Sequence, residues 1–138
     1  MIKVIEIREI IQTALKSVHA RVYFESAPAT IGDPDNPGTN IPTPFPYLVY
    51  DLPNSTDDGT LEQFVLDVDA WDSTSGDTTM LEILIDSADK SLHRKTITVD
   101  EVLAVTFYRE NRLTLTDDDP NIKRRKYIYQ VRTFERRI

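Results

Sequence analysis

Leu61-Glu-Gln-Phe-Val-Leu-Asp-Val-Asp-Ala-Trp71 decides how the chain is read. Phe64, Leu66, Val68 and Ala70 alternate with Val65, Asp67, Asp69 and Trp71. Successive side chains of a strand point to opposite faces, so this is a strand with one apolar face and one mixed face. Asp72-Ser-Thr-Ser-Gly-Asp77 follows at once, and its short polar side chains suit a turn ending in helix N-caps. Beyond it Met80, Leu81, Leu84, Ile85, Ala88 and Leu92 recur at helical spacing. A strand that runs into an amphipathic helix predicts a sheet with a helix laid on it.

Towards the N-terminus, Ile7, Ile10, Ile11, Ala14, Leu15 and Val18 mark one face of a helix over 2–18, with charged residues on its other side. Arg21–Glu25 is a short strand by its β-branched and aromatic content. Ser26–Pro46 then holds six of the eight prolines, which bars a helix or a central strand there. A loop of that length is either functional or disordered, and the expectation is an extended arm that orders against a neighbour. Tyr47–Leu52 is the next strand, stopped by Pro53, and it pairs with 61–71 as a hairpin. After the second helix come an ambiguous Thr96–Asp100, a strand over Val102–Arg109 that Leu113–Thr116 extends or follows, a turn at Asp117–Asn121, and a last strand over Lys126–Phe134. The expected fold is a single α+β domain over 1–138. Its core is a mainly antiparallel sheet of four or five strands, with two helices packed on one face and a long Pro-rich loop at 26–46.

A chain of 138 residues is one domain on length and can bury a core without staples. It has no cysteine, so it forms no disulfide and carries no thiolate nucleophile or thiolate metal site. Charges interrupt the apolar residues from Met1 onward, which does not fit a signal peptide, and no run is long enough for a membrane span. The expected location is a cytoplasm.

Candidate chemistry is sparse. His19 and His93 each close a predicted helix, where a cation suits the dipole. Asp33-Pro-Asp-Asn-Pro-Gly38 imitates the start of a calcium loop but has Pro37 at the fifth position and Pro44 where a bidentate Glu belongs. Asp67 and Asp69 share a strand face, as paired acid and base groups do, but nothing marks a substrate cleft beside them. No nucleophile elbow, P-loop or dinucleotide fingerprint occurs. The reading is a non-enzyme with no cofactor and no metal.

Charge is segregated along the chain. Asp51 to Lys90 carries eleven Asp/Glu against one Lys, whereas 122–138 carries seven Lys/Arg against Glu135. Lys123, Arg124, Arg125 and Lys126, with Arg132 beyond, make a basic strand near Tyr127 and Tyr129. Three uses are open to it. It can bind nucleic acid through phosphates and stacked rings, protect a sheet edge from unwanted pairing, or meet the acidic middle of another copy in a ring-closing contact.

Several stretches together carry a resemblance. They are Ala20-Arg-Val-Tyr23 at the end of the first helix, the Pro-rich run into Phe45-Pro-Tyr-Leu-Val-Tyr50, and Phe64–Trp71 with its helix. Val105-Thr-Phe-Tyr-Arg109, the Asp-rich turn and Tyr127–Phe134 complete it. In this order the chain resembles the tail-completion and tail-terminator (head–tail joining) proteins of long-tailed bacteriophages. The resemblance implies an α+β subunit, a hexameric ring at the head-proximal end of the tail, and no catalysis or cofactor. It implies the tail tube and head connector proteins as partners, DNA that passes without specific binding, and a location in the host cytoplasm and then the virion. Under it, Lys123, Arg124, Arg125, Lys126 and Arg132 are subunit-interface candidates, and Asp67, Asp69 and Asp72 are candidates to face the channel, where acidic groups keep DNA from sticking. The alternative is a small soluble binding module that holds nucleic acid through the basic strand.

Overall fold

The computed structural model describes residues 4–57, 62–74, 76–99 and 103–135. Its elements are α1 (Val4–Lys16), β1 (Val22–Phe24), β2 (Thr30–Gly32), β3 (Asn40–Pro42), β4 (Tyr47–Asp57), β5 (Glu62–Ser73), α2 (Thr79–Leu92), β6 (Thr96–Thr98), β7 (Leu103–Thr116) and β8 (Ile122–Glu135). The fold is α+β with two helices, as the sequence predicts. The first two residues of the predicted N-terminal helix, Leu61 of the predicted strand 61–71, Ser75 of the turn after it, Asp100 of the ambiguous Thr96–Asp100 and Val102 of the next predicted strand lie outside the described residues.

The sheet departs from expectation in size and kind. It has six strands in the order β1-β4-β5-β8-β7-β6, and it is mixed, because β1 runs parallel to β4 while the other pairs are antiparallel. Two irregularities explain why β4 runs past its predicted end and how Leu113–Thr116 extends β7. The β4–β5 register shifts between Asp51 and Asn54, which takes Pro53 out of the ladder, where its missing N–H costs nothing. The β7–β8 register shifts between Arg109 and Asn111, so β7 continues to Thr116 with its alternation reversed in phase.

The core lies between one sheet face and both helices. Leu48 and Tyr50 of β4, Phe64–Ala70 (alternate residues) of β5, Tyr127, Tyr129 and Val131 of β8, and Val105 and Phe107 of β7 are buried with Ile7, Ile11 and Leu15 of α1 and Leu81, Ile85, Ala88 and Leu92 of α2. At about 25 cal/mol per Å² of apolar surface, each buried Val, Leu, Ile or Phe among them contributes roughly 1.5–3 kcal/mol. The Tyr50 hydroxyl reaches across to Gln12 Oε1 on α1 at 2.7 Å, and Tyr127 reaches Asp86 on α2 at 2.9 Å. Both helices therefore sit on the same face.

The Pro-rich stretch is not featureless. β2 and β3 form their own antiparallel hairpin, apart from the main sheet, with Ile31 opposite Ile41. Its turn is closed by the Asp33 carboxylate, which accepts from the Asp35 N–H at 2.9 Å, and by Gly38 at φ +90°, a conformation that suits glycine.

Candidate assembly surface

The helix-free face of the sheet brings together most of the residues the sequence singles out. On β5 it carries Val65, Asp67, Asp69 and Trp71, and on β8 Arg124, Lys126, Ile128 and Gln130, because Asp69 stands opposite Lys126 and Trp71 opposite Arg124. The two charge blocks, far apart in sequence, are thus adjacent strands of one sheet. Arg124 Nε lies 3.1 Å from Asp69 Oδ1, and Lys126 Nζ lies 3.6 Å from Asp67 and 4.0 Å from Asp69. The Arg124 guanidinium also sits 4.7 Å over the Trp71 ring, a cation–π contact. Burial raises the Asp69 pKa above the ordinary carboxylate range, and the Arg124 hydrogen bond opposes that shift.

The remaining candidates are also engaged. Arg125 points to the helix face, where its Nε meets Glu82 of α2 at 2.5 Å. Lys123 donates to the Pro120 carbonyl, Asp72 accepts from the Ser73 N–H, and Arg132 holds the Gln130 amide oxygen while lying 5.1 Å over Tyr108. The basic strand is therefore no sheet edge: β8 lies inside the sheet, flanked by β5 and β7. Its cations at 124, 125 and 126 meet carboxylates of their own chain before any neighbour arrives. The same pairing neutralises Asp67 and Asp69, which weakens the acidic wall expected of a channel lining.

Next to the charged ladder lies an aromatic group. Tyr47 stacks on Phe45 at 5.1 Å and on Trp71 at 6.3 Å, and Tyr23 meets Tyr47 edge-on at 5.9 Å. Burial raises the Tyr47 pKa. Arg21 and His19 both bind the Pro46 carbonyl, which fixes the connection between α1 and β1 to the residue before β4.

Sequence reading missed a polar network under α2. Asp89 is buried on the core side of the helix and accepts from the Tyr129 hydroxyl at 2.6 Å and from the Arg109 guanidinium. The Arg109 N–H donates to His93 Nδ1 at 3.0 Å. Burial and Asp89 together push the Tyr129 pKa far above its usual value, and burial and Asp86 push that of Tyr127 to about 12. An aspartate among apolar i, i+3, i+4 positions was the available signal. Among the described residues no buried side-chain polar atom lacks a partner, and no three His, Cys, Asp or Glu side chains converge as metal ligands. The arrangement ties helix to sheet.

Outside this face two further surfaces stand out. A groove of about 500 Å³ runs between α1 and β6, lined by Ile10, Thr13, Ala14, Ile97 and Val99 among others. Met80 and Ile83 are exposed on the outer side of α2. No helix among the described residues is long and apolar enough to cross a membrane. The sequence matches no model of a known protein family, and a search of curated proteins finds no relative.

Proposed function

We propose that this chain is a structural virion protein of a long-tailed phage or prophage, a tail-terminator or head–tail joining subunit. It self-assembles into a ring, hexameric by the resemblance, at the head-proximal end of the tail. The observation that carries the reading is the β2–β3 hairpin. Among the described residues, its hydrogen bonds close within 28–43 (Thr43 to Ala29 and Pro28, Asp33 to Thr39), and neither Ile31 nor Ile41 belongs to the core cluster. An ordered hairpin of this kind adds nothing to its own core, so its natural use is contact with another molecule. The succession of helix, Pro-rich run, paired strands, helix and closing strand supports the same reading. On it, the partners are further copies of the chain, the tail tube and the head connector, and DNA passes through the ring without specific contact. The protein would act first in the host cytoplasm and then in the virion.

The alternative, a nucleic-acid module using Lys123 to Lys126, is less favoured. Three of those four cations already face carboxylates, and phosphate binding requires them free. The test is negative-stain imaging of the protein alone and mixed with phage tail tubes. Rings that cap the tube ends are expected. A chain that stays monomeric alone and leaves the tube ends bare refutes the proposal.

A further inference from the structure

We infer that one copy joins the next by strand addition: the outer edge of β2 in the hairpin of one subunit pairs antiparallel with the edge strand β6 of its neighbour. This rests on the ring-forming reading above and names the contact that would build the ring.

Among the described residues the backbone leaves two edges open and two blunted. In β6, Lys95 and Val99 bond inward to Phe107 and Leu103, so Thr96 and Thr98 direct their N–H and C=O groups outward. In β2, Ala29 and Asp33 bond inward to Thr43 and Thr39, so Thr30 and Gly32 face outward. The other side of the hairpin ends on Pro42, which has no N–H to offer. The outer side of β1 is shortened by the Ser26 N–H, which takes the Phe24 carbonyl.

One antiparallel register uses both outward residues of each open edge. It sets Thr30 against Thr98 and Gly32 against Thr96, two hydrogen-bonded pairs that each exchange both N–H···O bonds. Ile31 then stands directly opposite Ile97, on the face that looks into the groove between α1 and β6, beside Ile10 and Ala14. The same register puts Asp33 opposite Lys95, which is exposed. The segment 26–46 carries Asp33 and Asp35 and no Lys or Arg, while Lys90, Arg94 and Lys95 are exposed beside β6. Hydrogen-bonding phase, apolar fit and charge therefore agree on one pairing.

Within one copy β2 and β6 are not paired, so the contact is one between copies. The hairpin is inserted between β1 and β4 at one end of the sheet, and β6 is the other end. The edges β1 and β6 are five strand spacings apart, about 24 Å along the sheet at the usual 4.8 Å. A donor at one edge and an acceptor at the other make a heterologous, head-to-tail contact, which closes into a ring when the rotation per subunit permits.

The chain has no cysteine, so introduced thiols are the only ones present. Ile31→Cys and Ile97→Cys variants would be mixed under mild oxidation, alone and with tail tubes, because a non-hydrogen-bonded antiparallel pair has disulfide spacing. The expected result is a disulfide between different copies, and for the doubly substituted chain a covalent ladder up to the size of the ring. Rings of unchanged size without a 31–97 bridge overturn strand addition and leave the ring reading standing; no oligomer under any condition overturns both. Asp33→Lys and Lys95→Asp, on non-core residues, provide a second measurement. Each alone should raise the concentration needed for assembly on the order of tenfold, and adding Lys95→Asp to Asp33→Lys should recover the part due to charge, leaving the part due to the turn that the Asp33 carboxylate closes. Indifference to all three variants overturns the register.

Discussion

Asp89 makes the sharpest prediction about what holds α2 to the sheet. Its carboxylate is the shared acceptor of Tyr129, which is fully buried, and of Arg109. Tyr129→Phe removes one donor and little volume, and a hydrogen bond to a charged acceptor is worth about 1.5–3 kcal/mol. The ion pair with Arg109 survives, so the loss should fall near the lower end, about 1.5–2 kcal/mol. Asp89→Ala strands both donors. Breaking a buried pair costs about 3–5 kcal/mol, but the Arg109 side chain is 24% exposed and can rehydrate in part, so about 3 kcal/mol is expected. At this chain length that lowers Tm by about 10 °C.

The doubly substituted chain distinguishes this account from simple loss of packing. With the carboxylate gone, the Tyr129 hydroxyl is an orphan, and removing it as well relieves a penalty instead of adding one. The double variant should therefore lose about 1.5 kcal/mol less than the two single losses predict if they were independent. Equilibrium urea unfolding, followed by the fluorescence of the single tryptophan and by far-ultraviolet circular dichroism, measures all four corners of the cycle. Additivity within about 0.5 kcal/mol refutes the shared-acceptor account, as does a Tyr129→Phe chain as stable as the parent.

Two further expectations concern pH. Tyr127 and Tyr129 have raised pKa values when folded, so the stability they supply is complete below pH about 10 and is lost as pH climbs through about 12 for Tyr127, at up to about 1.4 kcal/mol per pH unit for each. Urea midpoints measured from neutral to strongly alkaline pH should fall above pH about 10, less steeply for Tyr129→Phe, and a flat profile would contradict the burial of these hydroxyls. Asp69 is a carboxyl whose folded pKa is raised, so its contribution is greatest in acid and is lost as pH rises through that value. Arg124→Gln removes the group that opposes the shift, so it should cost about 1–3 kcal/mol at neutral pH and distinctly less near pH 4, and an equal cost at both would count against the Arg124–Asp69 pair.

The unit from β5 to α2 was legible because two periods meet there with a clean break. The alternation of Phe64, Leu66, Val68 and Ala70 and the helical spacing of Leu81, Leu84, Ile85, Ala88 and Leu92 mark residues that are buried, whereas Met80, read as part of the same helical face, is exposed. β2, β3 and β6 were not legible, since three residues with one isoleucine each are too short for a period to register. β7 was half legible: the register shift at Arg109/Asn111 reverses the phase, so Arg112 and Thr114 take the side that Val105 and Phe107 occupy earlier. Nothing in Val22-Tyr-Phe24 signals that it pairs in parallel. Charge misled most. Asp69 and Arg124 stand 55 residues apart, and composition along the chain cannot tell cross-strand neighbours from opposite poles of a molecule.

The strand-addition contact also has an energetic consequence for how a ring would appear. Backbone hydrogen bonds contribute about 1 kcal/mol each, Ile31 in the groove about 2 kcal/mol, and the Asp33–Lys95 pair less than about 1 kcal/mol. Set against roughly 4–15 kcal/mol for the loss of translational and rotational freedom, one such contact barely holds two free copies together. Closure changes this, because the last subunit gains two contacts in a single association and the final pairing is intramolecular, at an effective concentration near the millimolar range. A tail tube presenting equivalent sites around its rim would do the same by holding successive copies in register. A weak edge-to-edge contact is thus compatible with a protein that stays dispersed until its ring can close, and it avoids the open-ended growth to which exposed strand edges are prone.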